Sequence, residues 1–311
     1  MTVRVAYLIQ SHRGVDQLDR LVGRLTELDP ACVVHVSHDR TGAPGVERLA
    51  RHPRTSVALD QGGRGRFHNV DRWLSAARAV MAAGSPDYLV TLSGQDYPVR
   101  PPEELHAALA ATPDGFLEHF PVFDERSNWP VREGRTRYDF QWYDGPALGP
   151  VAKRRLHVLQ AVNRVQPLVR LSVSYDRLRI GRRARSLPAD FTCWGGSMFT
   201  SLSRRAVEHV LDVARTRPDL MAWARSSLVI EEAFFQTVLM SEGSFRFEPS
   251  SRRFYKFSPG NLGSPAVLSV ADMPEALGSG CFFARKLDLD QDPGALDAAD
   301  AALVPSGRTA G

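Results

Sequence analysis

Over roughly its first 110 residues the chain alternates short apolar runs with stretches of helical spacing, and this alternation constrains the fold more than any other feature. Residues 3–9 form a compact β-branched run that reads as a buried strand. Val15–Leu28 follows with Leu18, Leu21, Val22 and Leu25 at helical positions. Residues 32–36, 55–59 and 88–92 are further strand-like runs. Residues 69–81 put Trp73, Leu74, Ala77 and Val80 on one helix face, and Pro102–Ala111 carries proline in its first turn, where it is tolerated. The pattern predicts an α/β fold, Rossmann-like, with a mostly parallel central sheet and helices on both faces. Ligands of such sheets bind beyond the carboxyl ends of the strands. The polar endings Ser11-His12, Ser37-His38-Asp39 and Ser93-Gly94-Gln95-Asp96 are therefore expected along one edge. No Gly-rich dinucleotide fingerprint follows the first strand and no phosphate-binding GxxxxGK[ST] occurs, which argues against nicotinamide-cofactor and P-loop chemistry.

The rest of the chain is less regular. Residues 115–150 interleave aromatics with Arg126, Arg132, Arg135 and Arg137, the usual materials of a sugar or nucleotide pocket, or else an aromatic core strand beside a solvated basic loop. Residues 151–171 read as a basic helix able to cover such a pocket. Residues 175–186, with five Arg, read as a solvated loop. The paired glycines of 191–199 allow a tight turn or a close backbone approach to a ligand. Ser203 is placed to cap a helix over 204–214. Residues 244–247 and 253–257 read as short aromatic strands, and the chain from 291 to 311 as a flexible tail. In 228–239, Ile230, Phe234 and Val238 recur at a spacing of four, so the segment reads as one apolar helix with Glu231 and Glu232 in its midst. A carboxylate among aromatics tends to have a raised pKa and an acid or base role; two Glu in a first turn also simply favour the helix dipole.

Charge and cysteine content narrow the partners. A net charge of +4 is too small to argue for nucleic acid and suits an anionic small ligand. Cys32, Cys193 and Cys281 are widely spaced, forming neither a disulfide framework nor a zinc site, so a reducing compartment fits. The N-terminal apolar run is too short for a membrane span and lacks a signal-peptide cleavage region. A cytoplasmic protein without a membrane anchor is expected.

Three segments in order resemble the core-2/I-branching β-1,6-N-acetylglucosaminyltransferase family, which includes protein xylosyltransferases. Residues 6–9 with Leu92-Ser93-Gly94-Gln95-Asp96-Tyr97-Pro98 are similar to its Leu-Ser-Gly-x-Asp-Tyr/Phe-Pro signature. Gly196-Ser197-Met198-Phe199, followed by Glu231-Glu232-Ala233-Phe234-Phe235-Gln236-Thr237, resembles its Gly-Ser-x-Trp segment and Asp-Glu-x-x-x-x-Thr helix. Phe283-Ala284-Arg285-Lys286 is similar to its Phe-Ala-Arg/Asn-Lys ending.

The resemblance implies one GT-A type domain over 1–290, with a nucleotide-binding half at 1–112 and an acceptor and catalytic half at 113–290. It implies inverting transfer of a sugar, GlcNAc by the family's habit, from a UDP-sugar to a glycan or glycosylated small molecule. It also implies that no metal or other cofactor is needed, because the family lacks an Asp-x-Asp metal motif. The one Asp-x-Asp here, Asp288-Leu289-Asp290, reads as the start of the tail. By the family register Glu232 is the general base, Lys286 meets the departing diphosphate, and Arg285 is a weaker candidate for that task. The edge of the apolar face suits Glu232 for touching substrate, and Glu231 is then read as a buried partner of an Arg. Ser11, His12 and Asp39 are assigned to the nucleotide side, with Asp39 reading uracil or ribose or else closing a strand-end turn. Asp96, Arg137, Glu118 and Trp194 are assigned to the acceptor side, Asp96 alternatively fixing its own loop as an Asx turn. Phe199 for the usual Trp, Gly63-Arg64-Gly65-Arg66-Phe67 for a Trp-Gly pair, and Ile230-Glu231 for Pro-Asp leave donor and acceptor open. Another donor sugar, or a non-catalytic nucleotide- or glycan-binding module, are the competing expectations.

Overall fold

Alternate side chains of β1 (Val5–Ser11) enter two different hydrophobic cores, which is why the strand reads as continuously apolar. Val5, Tyr7 and Ile9 pack on one face with Leu18, Leu21, Val22 and Leu25 of α1 (Val15–Leu28). Ala6 and Leu8 pack on the other with Trp73, Leu74, Ala77 and Val80 of α2 (His68–Gly84). Full burial of each large aliphatic side chain contributes about 1.5–3 kcal/mol. The computed structural model describes residues 3–303 except 64, 66, 85, 126, 157, 159, 160, 162, 164–166, 175, 176, 185, 259 and 260.

β1 pairs in parallel with β2 (Val33–Asp39) on one side and β4 (Tyr88–Ser93) on the other, and β3 (Thr55–Asp60) extends the sheet beyond β2. Past β4 come two short strands, Ser201–Ser203 and Gly115–Phe116, the first antiparallel to β4. The sheet is thus mostly parallel with helices on both faces, as the alternation predicts, and α3 (Pro102–Ala111) spans the expected residues. Strand order reverses direction between β1 and β4, the place where such sheets open a crevice at their carboxyl ends. The register sets Ser11 opposite His38 and Gln10 opposite Ser93, so the polar endings do meet along one edge. Gly115–Phe116 and Ser201–Ser203, from beyond residue 112, belong to the same sheet as β1 to β4.

Four expectations are corrected. Of the helix expected over 151–171, Pro150–Leu156 is helical but Val169–Ser174 is a strand, and residues 157, 159, 160, 162 and 164–166 lie outside those described. The basic stretch 175–186, expected as a loop, instead contains Arg177–Arg183 as the central strand of a three-stranded antiparallel sheet with Phe140–Ala147 and Val169–Ser174; residues 175, 176 and 185 lie outside those described. One face of that sheet buries Phe140 and Trp142 against Leu228, and Arg179 is enclosed and paired with Asp144 at 2.9 Å. Residues 244–247 form no strand; Phe245 and Phe247 stack instead, 5.8 Å between centroids. Nor does a tail begin at 291. Pro293–Ala302 is a helix whose Ala295, Leu296 and Ala299 are fully buried, while Asp300 holds Arg20, Arg24 and the Tyr97 hydroxyl. Residues 304–311 lie outside those described. No helix among the described residues is long and apolar enough to cross a membrane.

Candidate active site

The Glu231–Glu232 segment is not one continuous helix. Val229 adopts a left-handed backbone (φ 52°), Ile230–Glu232 makes a single 3-10 turn, and Ala233 (φ −140°) interrupts before helix Phe234–Glu242 begins. A left-handed conformation costs a side-chain-bearing residue about 1–2 kcal/mol. Here it is held by the Val229 N–H donating to the Gly65 carbonyl at 3.2 Å and by the Tyr138 hydroxyl donating to the Val229 carbonyl at 3.3 Å. Ile230, Ala233, Phe234 and Phe235 on both sides of the break are all buried. The kink sends the two carboxylates to different environments.

Glu231 is 7% exposed and accepts a hydrogen bond from the Asn69 amide at 3.3 Å. The reading of Glu231 as the partner of an Arg is therefore corrected. Burial, helped by the neighbouring Glu232 charge, pushes its carboxyl up to about 7. The Arg belongs to Glu232: Arg137 Nη1 donates to Glu232 Oε2 at 2.9 Å, while its Nη2 bonds Glu133 and its guanidinium lies 4.6 Å over Trp129. The Glu232 side chain keeps 37% of its surface exposed. Partial burial raises its pKa and Arg137 pulls it back, leaving it above the ordinary value. A carboxylate moved toward neutral pH that still reaches solvent is suited to take a proton.

Burial, and then the Glu232 charge, raise the Glu118 carboxyl. Trp194 stands next to it, its ring edge-on to His119 at 5.8 Å, and its backbone exchanges hydrogen bonds with the Thr237 hydroxyl. The second of the paired glycines explains the closeness. A Cβ on Gly196 would lie 1.8 Å from the Glu118 carbonyl, and the Gly196 N–H donates to the Glu232 carbonyl at 2.9 Å. The close approach is thus to the protein's own backbone, and it draws together the segments bearing Glu118, Trp194 and Glu232.

Two guanidiniums lie over the Phe199 ring, Arg285 at 3.9 Å and Arg253 at 5.2 Å. Burial pushes Arg253 down to about 10, against the pull of Asp96. Asp96 is completely buried, pairing with Arg253 Nε at 3.4 Å and accepting from the Ser93 N–H at 2.7 Å and the Ser93 hydroxyl. Its assignment to the acceptor side is corrected: it has no surface to offer, and it fixes the loop after β4. Arg285 is likewise pushed down by burial, opposed by the charges of Asp96, Tyr255 and Glu232. Lys286 donates through Nζ to the Ser264 hydroxyl. Asp288, read as the start of the tail, instead accepts from Gln95 of the β4 loop at 3.0 Å and pairs with Arg13 at 3.4 Å. Sequence reasoning missed Arg253 and Tyr255; an Arg inside an aromatic strand was the available signal.

At the β1–β2 end, Ser11 is buried, its hydroxyl 2.8 Å from His38 Nδ1, its carbonyl accepting from Arg72 at 3.0 Å. His12 is exposed, its carbonyl accepting from the Ala43 N–H at 3.2 Å. Asp39 makes a strand-end turn: Oδ1 accepts from Thr41 N–H at 2.9 Å and Thr41 hydroxyl at 2.8 Å. Burial opposes its ionisation, but these bonds and the Gly62 backbone hold it below the usual range. These three residues share the crevice edge, with the turn role of Asp39 filled within the protein.

A parallel α/β sheet whose switch-point crevice joins an exposed, Arg-held carboxylate to a cationic wall has the architecture of a GT-A type glycosyltransferase. The model of the Core-2/I-Branching enzyme family matches residues 56–254, and the chain belongs to that family of glycosyltransferases. No curated protein matches the chain at a significant level.

Proposed function

We propose that the protein is an inverting, metal-independent transferase that moves a sugar, in first place GlcNAc, from a UDP-sugar to a hydroxyl of a glycan or glycosylated small molecule. The observation that carries this reading is the Glu232 carboxylate: partly exposed, raised above its ordinary pKa, oriented by Arg137 at 2.9 Å, and flanked by Glu118 and Arg285. Glu232 takes the proton of the acceptor hydroxyl as that oxygen attacks the anomeric carbon. The bond from that carbon to the diphosphate oxygen breaks on the opposite face, and the oxygen leaves with the electron pair. A positioned base of this kind contributes about 10²- to 10⁴-fold. Glu118 and Trp194 lie where an acceptor sugar meets the base, and Arg137 serves it by orienting Glu232.

Lys286 and Arg285 meet the diphosphate, a task that fixed cations can perform as Mg²⁺ does elsewhere. Among the described residues no three His, Cys, Asp or Glu side chains cluster as metal ligands. Ser11, His12 and Asp39 border the nucleoside end of the crevice. A cytoplasmic location accords with three free thiols, two of them buried. The test is UDP-sugar hydrolysis across a donor panel, with and without EDTA. Slow hydrolysis of UDP-GlcNAc that survives EDTA is expected. Preference for UDP-xylose or UDP-glucose would replace the donor, loss with EDTA and rescue by Mg²⁺ or Mn²⁺ would overturn metal independence, and no hydrolysis of any donor would favour a binding module.

A further inference from the structure

The three-stranded sheet contributes no residue to the chemistry above, yet it concentrates two unusual properties. Ten of the chain's 39 Lys and Arg but only two of its 35 Asp and Glu fall between residues 140 and 186, so this segment carries +8 and the remainder −4. The same segment holds six of the eleven large apolar side chains that are exposed among the described residues. The register shows that these are not scattered. Ile180 pairs across to Tyr143 on one neighbour and Leu171 on the other, and Arg182 pairs to Gln141 and Val169. Side chains two apart share a strand face. Tyr143 (58% exposed), Ile180 (45%) and Val169 (38%) therefore lie on one face with Arg182, the face opposite Phe140 and Trp142. Arg177 and Arg183, also exposed, alternate to the other face at the two ends of the central strand, so Arg182 is the basic residue this strand places on the apolar face; Arg154 and Arg155 are exposed on the preceding helix Pro150–Leu156.

We propose that this face docks on an anionic lipid surface. Apolar and aromatic side chains beside Arg182, in a segment that carries +8, supply what an interfacial contact requires, the first entering the headgroup boundary and the positive charge drawing the segment to acidic headgroups. A purely electrostatic polyanion site would have no need of Tyr143 and Ile180 on the same face. The inner face of the sheet packs on Leu228, whose N–H donates to the Arg137 carbonyl at 3.3 Å. Docking therefore brings the segment bearing Glu232 close to the lipid surface, which suits an acceptor with a membrane-embedded tail.

The experiment is co-sedimentation of the full chain with phosphatidylcholine vesicles, with and without phosphatidylglycerol. Binding only to the phosphatidylglycerol vesicles, weakening with salt, is expected. Arg182→Glu, which reverses the charge on this face, should weaken it by about tenfold or more, since each unit of charge near such a surface contributes about 1 kcal/mol. Tyr143→Ser with Ile180→Ser should weaken it as well, with hydrolysis of UDP-sugar unchanged. If the strand variants fail to fold, Arg154→Glu with Arg155→Glu on the preceding helix tests the charge requirement, and fluorescence quenching of the wild-type Tyr and Trp by brominated lipid tests insertion. Absence of binding to phosphatidylglycerol vesicles overturns the proposal. So does binding that is fully competed by heparin and indifferent to the Tyr143 and Ile180 changes, which would make the patch a soluble-polyanion site.

Discussion

Replacing Glu231 by Gln should stabilise the protein at neutral and alkaline pH and leave it nearly unchanged in mild acid. In the folded state this carboxyl is raised from 4.5 to about 7, chiefly by burial. The folded protein therefore holds a proton that the unfolded chain releases between those values. The stability linked to this proton is fully present below the unfolded pKa, falls as pH rises through the folded pKa, and is gone above it. At 1.36 kcal/mol per unit, the interval corresponds to about 3 kcal/mol between pH 4 and pH 8. The side chain is only 7% exposed, so solvent screening takes little from that figure. A Gln can still accept from Asn69 through its amide oxygen, and it has no charge to desolvate. Urea unfolding of both proteins from pH 4 to pH 8 measures the effect as a difference, in which the titration of Glu118 and the surface carboxylates cancels and what remains is Glu231 with its coupling to Glu232. The variant should gain about 3 kcal/mol on the wild type across that range. A difference that is independent of pH would refute the assignment of Glu231 as a desolvated, unpaired acid. A variant uniformly less stable by 3–5 kcal/mol would instead be the behaviour of a broken buried ion pair.

Lys286→Ala should weaken UDP binding roughly tenfold to a hundredfold, the loss of one charge-assisted contact to phosphate, measured by calorimetry; unchanged affinity removes Lys286 from the site. Asp96→Asn should destabilise the fold by about 3–5 kcal/mol in chemical denaturation, because Arg253 is left buried without its counter-charge. If it melts as the wild type does, the Asp96–Arg253 pair is not what fixes the loop after β4.

The parallel sheet was legible because its strands are buried on both faces: β1 shows the same apolar run whichever core its residues enter. The polar strand endings were legible for the same reason, as the places where burial stops. What escaped was structure with weaker apolar marking. Arg177–Arg183 carries four Arg in seven residues, and only its pairing with Phe140–Ala147 makes its enclosed positions, Arg179 and Gly181, evident. Pro293–Ala302 buries mostly Ala, which has little hydrophobic signal, yet it seats on α1 through Asp300 and Arg20. The break before Phe234 rests on a left-handed Val229, where no glycine announces it. The spacing of four across the break is genuine, since Ile230 and Phe234 are both buried, but it does not tell where each Glu points. The family register located Glu232; that Arg137 rather than solvent would hold it was not readable from 95 residues away.

The central claim is that Glu232 is the base. Glu232→Gln keeps shape and an acceptor for Arg137 while removing the group that takes the proton. Turnover with a UDP-sugar and its acceptor, measured beside UDP affinity and melting temperature, tests this most directly. The account predicts a fall in kcat of about two orders of magnitude or more, with UDP affinity and melting little changed. A Glu232→Gln enzyme that retains wild-type turnover would contradict it.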